Sequence, residues 1–319
     1  MSVSVLIPAF RPRFLGQSIA SVLAQSFSDF ELLISDDSGG EEVAEVVSRY
    51  RDPRISYSRT AGREGAKANM SRLWSQAARP RLKYLFDDDV LHPSALTDLC
   101  ELLDRTPGVG LAFGHRDIID AEGRVISEPR LIAPGKAVAL AADRLAPLLL
   151  PACDNRIGEF SNVLINRNAG VELGHVLDYR GLPMEMLNDV SFYLNAARVG
   201  PLAGVGRTVA QFRRHGDQHS SPAANPLYTK VVAEWEVVIR GEISAGTLQS
   251  EAAIKAIDTL DRFYGLFVDR LPELVRLQRA LPELRRRVAA GDRMLLDEAF
   301  LTQWGALEDD RRARVSANG

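Results

Sequence analysis

Two short β-rich runs in the N-terminal third each end in a cluster of carboxylates, and that placement constrains the fold more than any other feature. Phe30-Glu31-Leu32-Leu33-Ile34 leads into Ser35-Asp36-Asp37-Ser38-Gly39-Gly40, and Leu82-Lys83-Tyr84-Leu85-Phe86 leads into Asp87-Asp88-Asp89. Two further runs, Val3-Ser4-Val5-Leu6-Ile7-Pro8 and Ile55-Ser56-Tyr57-Ser58, have the same β-type composition. Helical spacing fills the gaps. Apolar residues recur at Leu15, Ile19, Val22 and Leu23, and residues 41–50 and 66–78 also read as helices. Strands alternating with helices predict βαβ units, a parallel sheet and helices on both faces. Sheets of this kind take ligands beyond the carboxyl ends of their strands, where both acidic clusters fall.

Downstream the pattern predicts a helix over 94–105, a strand over 109–114 and a hairpin turning at Asp120-Ala121-Glu122-Gly123. A helix near 137–149, a strand near 161–165 and a helix starting about Asp189 follow. Trp74 and Trp235 fall in helical patterns and read as core. Beyond Pro226 glycine and β signals thin out, and Leu, Ala, Arg and Glu take over at helical spacing, as in Glu273-Leu274-Val275-Arg276-Leu277. The expected organisation is an α/β domain over 1–225, with halves 1–115 and 116–225, then a helical C-terminal subdomain over 226–319. A chain of 319 residues has room for both.

The net charge of −3 gives no electrostatic case for nucleic acid as a partner. Cys100 and Cys153 stand far apart, outside any CxxC or Cys/His cluster, which argues against a disulfide framework and a zinc site. The N-terminal residues lack the basic and long apolar regions of a signal peptide. The greasiest stretch, around 145–152, is short and holds Pro147 and Pro151, so no bilayer span is expected. The expectation is a cytoplasmic protein, with peripheral membrane contact left open.

Three adjacent carboxylates repel one another unless something compensates. Mg²⁺ or Mn²⁺ does so, typically with one or two protein carboxylates plus substrate phosphates. The competing reading of Asp87-Asp88-Asp89 is a solvated acidic turn. In the Asp36-Asp37 loop a carboxylate can accept from the imide N–H of uracil or thymine, and the following glycines allow close approach. The alternative there is a turn and N-cap for the helix starting near Glu41.

These residues resemble the inverting family 2 glycosyltransferases, which have a GT-A fold. Val5-Leu6-Ile7-Pro8-Ala9-Phe10 resembles the family's opening strand, and Ser18-Ile19-Ala20-Ser21-Val22-Leu23-Ala24-Gln25-Ser26-Phe27 its first helix. Ser35-Asp36-Asp37-Ser38, Gly65-Ala66-Lys67-Ala68-Asn69 and Asp87-Asp88-Asp89-Val90-Leu91-His92-Pro93 complete an ordered set over roughly the first 100 residues. The resemblance implies a Rossmann-like, mostly parallel sheet, with residues 1–115 binding the nucleotide-sugar and 116–225 facing the acceptor. It assigns Pro8 and Phe10 to the wall of the base pocket, Asp37 to the pyrimidine, and Lys67 to the nucleotide. Asp87 and Asp88 are assigned to the donor, with Asp87 nearer the ribose, and the direct metal ligand is Asp89 or Asp88. Two departures stand out. Phe86 replaces the first carboxylate of the usual Asp-x-Asp-Asp, and Arg11 replaces an asparagine.

On the acceptor side, Asn188-Asp189 resembles the family's acidic pair at a helix start, which makes Asp189 the general base, with Asn188 in place of Glu and Glu185 one turn earlier. Gln211-Phe212-Arg213-Arg214-His215-Gly216 resembles a Tyr/Phe-Arg-x-His segment. It offers His215 as a further metal ligand or a diphosphate contact, and Arg213 and Arg214 for the diphosphate. His219 and Ser220-Ser221-Pro222 resemble a loop that orders over bound donor, and Glu159-Phe160-Ser161-Asn162 is a candidate acceptor face.

The implied reaction is a single inverting displacement. It moves a sugar from a nucleoside-diphosphate sugar, UDP or dTDP favoured, to an acceptor hydroxyl, with Mn²⁺ or Mg²⁺ and Asp189 as base. The acceptor is a carbohydrate or a lipid-linked or protein-linked glycan, and the C-terminal helices are candidates for homodimer contact. A nucleotidyltransferase would need a glycine-rich loop where Pro8-Ala9-Phe10-Arg11-Pro12-Arg13 stands, and a phosphohydrolase more clustered histidines than five single ones. A relative that binds donor without turning it over stays open.

Overall fold

The structure is a computed structural model that describes residues 2–61, 63–216 and 228–317. In chain order, β1 (Val3–Ala9), α1 (Pro12–Leu23), β2 (Phe30–Asp36), α2 (Glu42–Ser48), β3 (Ile55–Arg59), α3 (Ala66–Gln76) and β4 (Arg81–Tyr84) alternate as predicted. A short β5 (Val90–Leu91), α4 (Ala95–Arg105), β6 (Leu111–Ile119) and β7 (Val125–Ser127) come next. β6 and β7 pair around the turn at Asp120. β8 (Ala137–Leu140), α5 (Ala142–Leu149), β9 (Val163–Asn166) and α6 (Leu173–Leu177) follow. After them come β10 (Asp178–Tyr179), β11 (Leu182–Pro183), α7 (Asn188–Val199) and β12 (Leu202–Arg213). The chain then turns helical, with α8 (Tyr228–Ala245), α9 (Ser250–Phe267), α10 (Val275–Ala289) and α11 (Glu298–Ala317).

These elements divide into two compact units that interleave along the sequence. The first comprises Met1–Ala141, Arg156–Leu177 and Asn195–His215. The second comprises Ala142–Asn155, Asp178–Leu194 and Gly216–Gly319, so stretches 142–155 and 178–194 group with the C-terminal helices.

The first unit is built on a mixed sheet in the order β3-β2-β1-β4-β9-β6-β12-β5, with β7 beside β6 and β8 beside β12. β3, β2, β1 and β4 are mutually parallel, as are β6 and β12; β9 runs opposite between β4 and β6. Every residue of β1 is buried, as expected of a strand covered on both faces. Pro12 opens α1, where its missing N–H costs nothing. The apolar spacing of α1 lays Leu15, Ile19 and Val22 in one core with Val5, Ile7, Leu32, Ile34, Leu96 and Leu99. Each such aliphatic side chain contributes roughly 1.5–3 kcal/mol on burial.

One sequence expectation changes. Residues 137–140 are a strand, not the start of a helix, because Ala137–Leu140 pairs antiparallel with Leu202–Val205 of β12. β12 itself, at 12 residues, carries a weak β signal because Gly204 and Gly206 interrupt it. Both glycines have a packing reason. A Cβ at Gly204 would lie 2.4 Å from the Phe113 ring, and one at Gly206 2.1 Å from the Ala133 carbonyl oxygen.

In the second unit, α8, α9 and α10 bury Val237, Val238, Ile257, Leu260, Leu277 and Leu281. Trp235 is core, as is Trp74 in the first unit. No described helix is long and apolar enough to cross a membrane.

Candidate functional site

The strand order turns back at β1, whose neighbours are β2 on one side and β4 on the other. In an open parallel sheet the crevice at such a point, beyond the carboxyl ends, is the ligand site. Phe10 follows β1 there, Asp37 follows β2, and Asp87 to Asp89 follow β4.

Asp87 closes the crevice from one side. Its Oδ2 accepts from the Phe10 and Arg11 N–H groups, both at 2.7 Å. Burial pushes its carboxyl up to about 6; the two amide donors and Arg11 oppose the shift, and the charge of Asp88 adds to it. Phe10 is 41% exposed, with the guanidinium carbons of Arg11 and Arg63 5.7 and 5.6 Å from its ring centroid. An apolar plate flanked by cations suits a planar base attached to phosphates. Arg63 went unnoticed in the sequence because it precedes the Gly65-Lys67 segment in a loop without periodicity. Pro8 lies buried within β1, opposite Ser35.

Asp37 organises the far wall. Its Oδ1 accepts from the Thr60 hydroxyl (2.7 Å) and the Glu64 N–H (2.9 Å), and its Oδ2 from the Gly65 N–H (2.8 Å). Burial raises its pKa, but these bonds and the nearby Arg72 charge outweigh that and hold it below the usual range. The carboxylate expected to face a pyrimidine thus holds Thr60, Glu64 and Gly65. Lys67 stands half-buried in the first turn of α3, and Asn69 anchors that helix by donating to the Ser35 carbonyl at 2.9 Å.

The three adjacent carboxylates have three different environments. Asp88 Oδ2 lies 3.1 Å from His215 Nε2, the Asp88 side chain 20% exposed and the imidazole 3%. Asp89 is fully buried: its Oδ1 accepts from the Arg213 N–H at 3.0 Å, and its carbonyl from the Ser18 hydroxyl at 2.7 Å. Burial first, then the charge of Asp88, hold its pKa well above the carboxylate range, partly offset by Ser161 and the Arg213 amide. Asp88 rather than Asp89 is thus the carboxylate that meets the histidine. Beneath them Lys83, fully buried, donates to the Ser161 carbonyl. Burial brings its pKa down to about 7 against the opposing charge of Asp89. The signal for Lys83 was visible as one cation inside an apolar strand.

Arg213 does not face outward. Its Nε donates to the Asp88 carbonyl (2.9 Å), Nη1 to those of Asp120 and Ala121 (3.2 Å each), and Nη2 to Gln17 Oε1 (2.6 Å). The expectation of a diphosphate contact from Arg213 is therefore replaced by a structural role. Arg214 is exposed, its N–H bound to the Ile119 carbonyl at 2.7 Å. Glu159 pairs with Arg116 at 2.7 Å, and burial raises its pKa. His219 and Ser220-Ser221-Pro222 lie outside the described residues.

Asp189 belongs to the second unit. It stands in the first turn of α7, with Oδ2 accepting from Asn155 Nδ2 and Oδ1 from the Val190 N–H, both at 2.7 Å.

Among the described residues no group of three or more His, Cys, Asp and Glu is arranged around one point for a metal. Two protein ligands suffice where phosphate oxygens and water supply the rest. Adjacent ligands of an octahedral ion with bonds of 2.0–2.1 Å lie roughly 3 Å apart, which the Asp88–His215 separation of 3.1 Å matches. The pair fits such an ion.

A Campylobacter jejuni GalNAc(5)-diNAcBac-PP-undecaprenol beta-1,3-glucosyltransferase is 31% identical over 130 residues, 40% of this chain and 41% of that protein. The putative colanic acid biosynthesis glycosyl transferase WcaA of Escherichia coli is 28% identical over 130 residues, 40% of this chain and 46% of that one. The chain thus spans less than half the length of each of these relatives. Residues 1–349 of S. aureus TarS, solved in complex with UDP-GlcNAc, superpose with a TM-score of 0.58 at 14% identity, covering 92% of this chain and 93% of that one; the likeness is one of fold. Residues 4–163 match the model of glycosyl transferase family 2, half of the chain, and with the sheet and its acidic strand ends they show that the chain belongs to that family.

Proposed function

We propose that this chain is a metal-dependent, inverting glycosyltransferase. It moves a sugar from a nucleoside-diphosphate sugar, UDP or dTDP favoured, to a hydroxyl of a glycan acceptor in cell-surface polysaccharide or glycolipid synthesis. The observation that carries the reading is the Asp88–His215 pair at the carboxyl ends of parallel strands. The names of the Campylobacter jejuni and Escherichia coli relatives favour a lipid-linked or polysaccharide acceptor, and the UDP-GlcNAc bound to the TarS fold relative favours a uridine nucleotide.

Phe10 takes the base on its exposed ring, and Asp37 holds Thr60, Glu64 and Gly65 in place. Asp87 fixes the floor of the crevice through the Phe10 and Arg11 amides. Asp88 and His215 would hold Mn²⁺ or Mg²⁺, the imidazole nitrogen favouring Mn²⁺. Bound there, the ion would supply charge neutralisation for the departing diphosphate. Lys67 and Arg214 are the cations for the remaining phosphate charge. Asp189 takes the acceptor proton as its oxygen attacks the anomeric carbon, worth about 10²–10⁴-fold in rate.

Calorimetric titration with UDP, dTDP and GDP, with and without Mn²⁺, tests the reading on wild type and Asp88→Ala. Metal-dependent binding of one nucleotide, lost in the variant, is expected. No binding of any nucleotide under either condition would refute it, and binding without release of nucleotide from any nucleotide-sugar would leave a binding protein rather than an enzyme.

A further inference from the structure

Three glutamates of α8, at positions 234, 236 and 242, are fully buried, an unusual density of carboxylate for one helix face-to-core contact. Two of them serve local networks. Glu236 pairs with Arg240 at 2.6 Å and accepts from the Tyr264 hydroxyl at 2.6 Å. Glu242 accepts from the Tyr179 hydroxyl at 2.7 Å, and Gly241 leaves room for that ring, since a Cβ there would stand 2.3 Å from the phenol oxygen. Tyr179 lies in the β10–β11 hairpin, so α8 grips that hairpin at one end.

Glu234 does something different. Its Oε1 accepts from the Glu185 N–H at 2.6 Å, and its Oε2 from those of Met186 (2.9 Å) and Leu187 (2.7 Å). Three consecutive backbone amides converge on one carboxylate, a nest built around an internal anion. A buried carboxylate costs several kcal/mol unless its oxygens are satisfied, and charge-assisted bonds of this kind are about twice as strong as neutral ones. The bound residues are the last three before α7. Leu187 also supplies the carbonyl for the first bond of that helix, from the Ser191 N–H at 3.0 Å. Asp189 sits between those two points. Glu234 and Glu242 are eight residues apart, about 12 Å along the axis at 1.5 Å per residue. One helix therefore fixes both the hairpin and the entry to the turn that presents Asp189.

We propose that Glu234 is a positioning residue for the reaction: by holding the amides of 185–187 it sets the direction of the first turn of α7 and with it the Asp189 carboxylate. This rests on the reading of Asp189 as the base. Removing the acceptor lets the turn relax, and a misplacement of about 1 Å in a reacting group costs on the order of 10²-fold in rate.

The test compares wild type, Glu234→Gln, Asp189→Asn and the double variant. Each is assayed for nucleotide release from a panel of UDP- and dTDP-sugars, for UDP binding, and for hydrogen exchange. Glu234→Gln should lose on the order of 10²-fold in kcat with UDP affinity unchanged, and its 185–187 amides should exchange faster while those of α9 and α10 do not. The double variant should be no slower than Asp189→Asn, because the two groups act through one step. Wild-type turnover and exchange in Glu234→Gln, beside an impaired Asp189→Asn, overturns this inference alone; so does a further loss in the double variant. If Asp189→Asn turns over like wild type, the base reading fails and takes the inference with it. Should Glu234→Gln not fold, Glu234→Asp, which keeps the charge one methylene further back, is expected to show the same pattern at smaller amplitude.

Discussion

Asp88 and His215 are 127 residues apart in sequence and 3.1 Å apart in space, carboxylate oxygen to imidazole Nε2. The contact is held from both sides by Arg213. Its N–H binds Asp89 Oδ1, and its guanidinium binds the main-chain carbonyl of Asp88, so the residue next but one to the histidine is tied to the loop that carries Asp88. The Asp88–His215 contact is thereby built into the fold.

Asp88→Asn and His215→Ala should each remove Mn²⁺-dependent nucleotide binding. On the proposed function each would supply a direct ligand, so the loss should exceed the roughly 10–100-fold that an outer partner costs. Calorimetry at saturating Mn²⁺ measures it. Unchanged affinity in both variants would place the metal elsewhere.

Arg213→Met should destabilise the fold. The substitution keeps much of the stem but strips four carbonyl-type acceptors of their donor and removes a cation whose charge interacts with Asp89 and Asp88. A loss of about 3–5 kcal/mol is expected in urea unfolding. Arg214→Ala, at an exposed position, should stay within about 0.5 kcal/mol of wild type. Equal stability of Arg213→Met and wild type would return Arg213 to the list of phosphate ligands.

Phe10→Ala separates ligand contact from packing. The ring is 41% exposed, so unfolding free energy should change by no more than about 0.5 kcal/mol. Loss of a base-stacking surface is worth about 1–3 kcal/mol, or roughly 5–150-fold in nucleotide affinity. Unaltered affinity would show that the base lies off this ring.

His115 gives the first unit a dependence on acid. Its Nε2 accepts from the Leu131 and Ile132 N–H groups at 3.2 and 3.0 Å, which requires that nitrogen to be unprotonated. Burial lowers its pKa below 6.5 and the charge of Arg130 adds to this, with Asp117 opposing. A folded-state pKa below the unfolded one means that the stabilisation is fully present above about pH 6.5 and is lost as pH falls through the lower value. Thermal unfolding between pH 7 and pH 5 should therefore drop more steeply for wild type than for His115→Gln, which keeps an acceptor that does not titrate. Parallel slopes would contradict this.

The alternation of β-type and helical stretches was legible because it is local. Side-chain periods of two and 3.6 follow from backbone geometry alone, so residues 3–105 could be read without knowing their partners. The same holds for the helical C-terminal region and for the acidic loops at strand ends. Tertiary structure decided what depends on distant partners. Ala137–Leu140 became a strand only because β12 offered it an edge, and β12 was hidden by glycines whose purpose is contact with Phe113 and Ala133. Asp87, Asp88 and Asp89 share one stretch of sequence, yet one binds the Phe10 and Arg11 amides, one meets His215 and one is sealed under Arg213. Sequence placed three carboxylates at the end of a strand. How each of them is buried and bonded was decided by long-range packing, since the partners come from residues up to 127 positions away.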